Sequence, residues 1–97
     1  MIKSIQYMHI YQSKDGHIII PVHLTNIYWI CKVFYYYNNT DILDQGYYAY
    51  DLYGRCLEAK TQNKSIIKRV LTNKLPRKMQ KAIKEWKDLY KKEQTYV

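Results

Sequence analysis

The chain is poor in the residues that interrupt regular backbone: it has three glycines and two prolines in 97 positions. With an apolar fraction of 47%, that scarcity excludes a disordered or linker-like polypeptide, which buries too little surface to offset its entropy. No run of about 18 apolar residues occurs, so no transmembrane helix or membrane partner is expected. In MIKSIQYMHIYQSKDG the residues Gln6, Tyr7 and His9 interrupt any continuous apolar segment. No secretory signal is expected, and a cytoplasmic protein is. The two cysteines, Cys31 and Cys56, match no CxxC or Cys/His metal spacing. Neither a metal nor a cofactor is expected, and the thiols are expected to be reduced.

Catalytic strings are also missing. No HExxH, GxSxG, phosphate-binding loop or GxGxxG occurs, so an enzyme is not expected. Asp41, Asp44 and Asp51 read as turn-capping residues rather than metal ligands. The three histidines, His9, His17 and His23, all fall on the first hairpin. A metal-independent ribonuclease using one of them with Arg55 or nearby lysines is the second alternative. Ile20-Pro21-Val22-His23 resembles, over four residues, the small toxin ribonucleases of the HicA type. Their fold sets a basic helix on a three-stranded sheet; the leading helix of that family has no counterpart here.

Acidic residues are few, eight against sixteen lysines and arginines, and they are unevenly placed. Residues 1–59 hold five acids and four basic groups, whereas residues 60–97 hold three acids and twelve basic groups. Such asymmetry points the C-terminal third toward an anionic partner.

Residues 1–61 of this single domain have the pattern of strands. IQYMHIY and HIIIPVHL flank SKDG, where Asp15-Gly16 suits a turn with positive φ. Pro21 cannot donate to a ladder and predicts an edge or a bulge. NIYWICKVFYYY is a β-branched and aromatic strand, NNTDILDQG reads as a turn, and GYYAYDLY and GRCLEAKT read as two more strands. Residues 62–97 change period. SIIKRVLTN, capped by Ser65, predicts a short helix over about 65–73, and Pro76 opens a second over about 76–93. Met79, Ala82, Ile83, Trp86, Leu89 and Tyr90 form an apolar stripe about 120° wide. The expected fold is α+β: an antiparallel sheet of about five strands over roughly residues 2–61, with two C-terminal helices on one face.

On that wheel Arg77, Lys84, Lys87 and Lys91 share a sector of about 80° without an acid. Lys81–Glu85, Lys84–Asp88 and Asp88–Lys92 are spaced as i,i+4 pairs on the other flank. Lys68, Arg69 and Lys74 add charge at the same end. Uncompensated lysines along a helix suit phosphate tracking. Twelve tyrosines are the second anomaly. Tyr35 and Tyr37 alternate with Tyr36 across the faces of one strand, and Tyr48 and Tyr50 lie on the next. One aromatic face is expected to meet solvent or a partner.

The sequence therefore reads as a non-enzymatic binding module. Its basic C-terminal helix engages a polyanion, either nucleic acid or a nucleic-acid-handling protein. The alternative is a protein-directed inhibitor. A short aromatic-rich domain without catalytic motifs resembles, in profile, phage-encoded inhibitors of defence nucleases, including CRISPR effectors.

Overall fold

The Ser13–His17 turn closes the first hairpin as its side chains dictate. Gly16 sits at φ +94°, where the absence of Cβ removes the steric penalty. The Asp15 carboxylate accepts hydrogen bonds from the Ser13 hydroxyl at 2.5 Å and from the His17 ring at 2.7 Å. From this turn grows a five-stranded antiparallel sheet. The computed structural model describes residues 5–37, 41–59 and 61–94. In it β1 (Tyr11–Ser13), β2 (His17–Leu24), β3 (Trp29–Tyr37), β4 (Asp41–Tyr50) and β5 (Ile66–Arg69) lie in the order β4-β3-β2-β1-β5. One helix, α1 (Arg77–Gln94), follows the last strand.

Four elements differ from expectation. The first strand keeps only its end, because the chain turns at Tyr7–Met8 with Met8 at φ +64°; the expected start at residues 2–4 lies outside the described residues. Asp41–Gly46 is the first half of β4 rather than a turn, since pairing with β3 outweighs the weak local propensity of its polar residues. A bulge between Val33 and Phe34 of the partner strand shifts the register there, and Gly46 at φ +80° accommodates it. Among its described residues GRCLEAKT forms no strand, and its ladder pairing is the isolated bridge Tyr50–Cys56.

The fourth difference removes the first expected helix. SIIKRVLTN instead forms β5, paired with β1, and a single 3-10 turn at Thr72–Lys74. Its β-branched Ile66 and Ile67 suit an extended edge, where Ile66 is buried and Ile67 is 54% exposed. Leu71, assigned to the apolar helical face, is also 54% exposed. Pro21 falls in a central strand, but β1 reaches only Ile18 and Ile19, so no neighbour needs the missing N–H. The expected bulge is there, between Pro21 and His23.

The sheet is buried on both faces. Ile18, Ile20, Val22 and Phe34 meet Leu75, Met79 and Ile83 beneath α1. Trp86 anchors the middle of the helix, 6.3 Å from Phe34 and 5.2 Å from Tyr90 between ring centroids, and its indole N–H donates to the Tyr47 hydroxyl at 3.3 Å. Leu89, assigned to the apolar stripe, is 60% exposed.

The opposite face is covered by the chain's own return. Asp51 accepts the Tyr53 and Arg55 backbone N–H groups at 2.9 Å, Leu57 N–H donates to Ala49 at 2.8 Å, and Ile66 N–H donates to Gly54 at 2.8 Å. This return sets Cys56 and Ile66 against Trp29, Cys31, Val33 and Tyr50. The aromatic face expected at the surface is thus largely core. Among the described residues no helix is long and apolar enough to cross a membrane.

Candidate polyanion-binding surface

The outer flank of α1 is a groove rather than a convex ridge. Thr72, Gln80, Lys81, Lys84, Lys87 and Lys91 line a depression of about 520 Å³, with Ile83 at its side. The helical period explains this, because Ile83 turns toward the core while Gln80, Lys84, Lys87 and Lys91 follow one another along one side of it, within about 100° on the wheel. Lys84 and Lys91 are exposed and Lys87 is half-buried. Lys87 Nζ donates to the Met8 carbonyl at 3.3 Å. Burial, and then the neighbouring Lys91, push its pKa below the ordinary lysine value.

Two sequence expectations change here. Asp88, which the wheel sets outside the basic sector, lines the groove with those lysines. The stabilising pairs are not formed as drawn: neither Lys81–Glu85 nor Lys84–Asp88 closes into an ion pair. Lys81, assigned to a neutralised flank, therefore joins Lys84, Lys87 and Lys91. Among the described residues none of these four has a carboxylate partner.

The other basic residues gather at the opposite end of the helix. Lys68 and Arg69 on β5, with Lys74 at the end of the 3-10 turn, line a second cleft of about 370 Å³. Segment 71–75 separates it from the first, with Thr72 in one and Leu71 and Lys74 in the other. Arg77 is exposed and lines neither. The first turn of α1 carries no acid, although an acid there would be favoured by about 0.3–1 kcal/mol; Arg77 and Lys78 occupy it instead.

The tyrosines expected at a partner surface are half-buried or core where their side chains are described. Tyr50 is 0% exposed, its hydroxyl lacks a hydrogen-bond partner, and burial drives its pKa far upward. Tyr48 is half-buried beneath the Lys64 ammonium, 4.0 Å from its ring centroid. Tyr35 packs on His17 with centroids 4.5 Å apart, and Tyr36 packs into the core under α1. The side chain of Tyr37 lies outside the described residues. Exposed instead are Tyr7, Tyr47 and Tyr53; strand alternation gave no sign of Tyr7 and Tyr53, which sit in turns.

The fold keeps His17 and His23 apart. His17 is held by Asp15, His23 is exposed at the far end of the same strand, and Arg55 bonds Asp51 at 2.9 Å. Six residues of strand set the two histidines about 20 Å apart. A cation that sequence reasoning passed over is Lys32, 5% exposed beneath α1. Its ammonium lies 5.2, 5.1 and 5.9 Å from the Phe34, Tyr47 and Trp86 rings and against the Asp44 carboxylate. Compared with protein families, curated proteins and solved structures, the chain matches none.

Proposed function

We propose that this chain is a non-enzymatic binding module that holds a nucleic-acid backbone along the outer flank of α1. The observation that supports it is the groove itself: four lysines, none with a carboxylate partner, around one aspartate. Lys84 to Lys91 spans about 10 Å of helix axis, enough for successive phosphates of one strand. Lysine repulsion along the groove, felt most by half-buried Lys87, is relieved when phosphates enter and counterions leave.

Fluorescence anisotropy of labelled single- and double-stranded DNA and RNA, between about 50 and 200 mM salt, tests the reading. Binding is expected to weaken steeply with salt and to drop further in the Lys84→Glu/Lys91→Glu double variant. Absence of binding at the lowest salt overturns it, and a protein with an acidic cleft becomes the target to seek.

A further inference from the structure

The second cleft is more than a patch of charge. It runs into a smaller cavity of about 250 Å³ lined by Ile18, Tyr36, Met79 and Gly16. Gln12, Leu75 and Pro76 line both, so the two form one continuous depression. Its inner lobe sets the apolar Ile18, Leu75, Pro76 and Met79, of which Ile18 and Met79 are buried in the core, beside one phenol ring and the Gln12 amide. Its outer lobe carries Lys68, Arg69 and Lys74, none of which has a carboxylate partner, and no acid lines either lobe. The start of α1, where Pro76 precedes Arg77, adds the positive end of the helix dipole.

This chemistry narrows the ligand. An inorganic anion would leave the apolar lobe unused, and an apolar ligand would leave three cations unused. A cavity several times the volume of one water, about 30 Å³, but below the ~300 Å³ of drug-sized pockets, has the scale of one planar heterocycle. The shared demand is an aromatic heterocycle joined to phosphate.

We propose that this depression is a nucleotide subsite. The base lies against the Tyr36 ring, over a floor closed by the buried Ile18 and Met79, and meets the Gln12 amide with its polar edge. The attached phosphate lies among Lys68, Arg69 and Lys74. The inference rests on the polyanion reading and makes it specific, because a base in a duplex is stacked inside and unavailable. The nucleotide is then either an unstacked base of a single strand or a free nucleotide.

The test uses the whole chain and three oligomers of equal phosphate count: a single strand, its duplex, and the same strand with abasic positions. The single strand is expected to bind about tenfold more tightly than its abasic counterpart, the scale of one stacked base. Gln12→Leu, close in size, is expected to lose that advantage while duplex affinity and salt dependence hold. A nucleoside monophosphate is then titrated while the Gln12 side-chain amide is followed by NMR. A shift supports a free-nucleotide source; no shift beside an abasic effect supports the strand. Equal binding of normal and abasic strands overturns the subsite and leaves the polyanion reading standing. No binding to any polymer at low salt overturns that reading, and the subsite with it.

Discussion

Lys32 lies under α1 with 5% of its surface exposed, three aromatic rings around its ammonium and the Asp44 carboxylate against it. Lys87 lies on the flank of the same helix, half-buried, with the Met8 carbonyl as hydrogen-bond partner and Lys91 as neighbour. Both ammonium groups are partly withdrawn from water. For the first, the fold supplies a counterion from the neighbouring strand, beside the bulge facing Val33 and Phe34. For the second it supplies a neutral carbonyl and another lysine. A charge that serves packing is neutralised internally; the flank lysines have no carboxylate partner among the described residues.

The largest effect expected from breaking that contrast is at the neutralised site. Asp44→Ala leaves Lys32 among rings without a counterion. Removing one partner of a fully buried pair costs about 3–5 kcal/mol. Asp44 is 56% exposed, so solvent screening reduces the expectation to about 2–3 kcal/mol. Lys32→Met, similar in volume and free of the desolvation penalty, is expected within about 1 kcal/mol of the parent. Urea denaturation of the two variants decides: a Lys32→Met cost matching that of Asp44→Ala would mean that the cation itself stabilises the fold.

The contrast also shows what the sequence could convey. The α+β class, β2, β3 and α1 were legible, because long alternating or 3.6-period apolar patterns dominate their segments. The strand β5, in place of the first expected helix, was not. Ile66, Ile67, Val70 and Leu71 fit a helical face by spacing, but the open side of β1 offered backbone pairing that spacing does not register. The return across the far face was equally hidden, since it depends on irregular turns around Asp51 and Gly54. That return is why Tyr50, expected at a partner surface, is core. The wheel set Lys84, Lys87 and Lys91 on one flank of α1, where they line the groove together, but it set Lys81 on the other. The Lys32–Asp44 pair was not legible, because it depends on the β3–β4 register.

A smaller effect sharpens the comparison from the flank side. Lys87→Met removes a partly desolvated ammonium that has no carboxylate partner. Stability is expected to stay within about 0.5 kcal/mol of the parent or to rise. Binding should respond differently: the slope of log affinity against log salt falls by about 0.7 for a single strand or 0.9 for a duplex, one phosphate contact's worth. A Lys87→Met variant that loses stability while keeping its salt slope would place Lys87 with Lys32, as a packing residue.

The smallest effects are those of pH, and the two lysine environments predict them at opposite ends of the scale. Burial works to raise the Asp44 pKa, but the bonds from Lys32 and the Gly46 N–H outweigh it and hold the carboxyl below its ordinary 3.8. Its stabilisation is therefore complete above the unfolded value and is lost as pH falls through the folded one, a loss that Asp44→Asn abolishes. Lys87 is displaced below its ordinary 10.5 by burial and Lys91. In the fold its protonated form is disfavoured, so stability relative to Lys87→Met rises as pH climbs through the lowered value. A bound phosphate favours the protonated form and moves the pKa back up. Binding in mildly alkaline buffer should therefore take up protons, measurable by calorimetry in buffers of different ionisation enthalpy. Lys87→Arg, charged throughout, should bind without that component. Equal proton uptake by the parent and Lys87→Arg would mean that phosphates do not reach Lys87, and that the groove is entered only at its exposed end residues, Lys84 and Lys91.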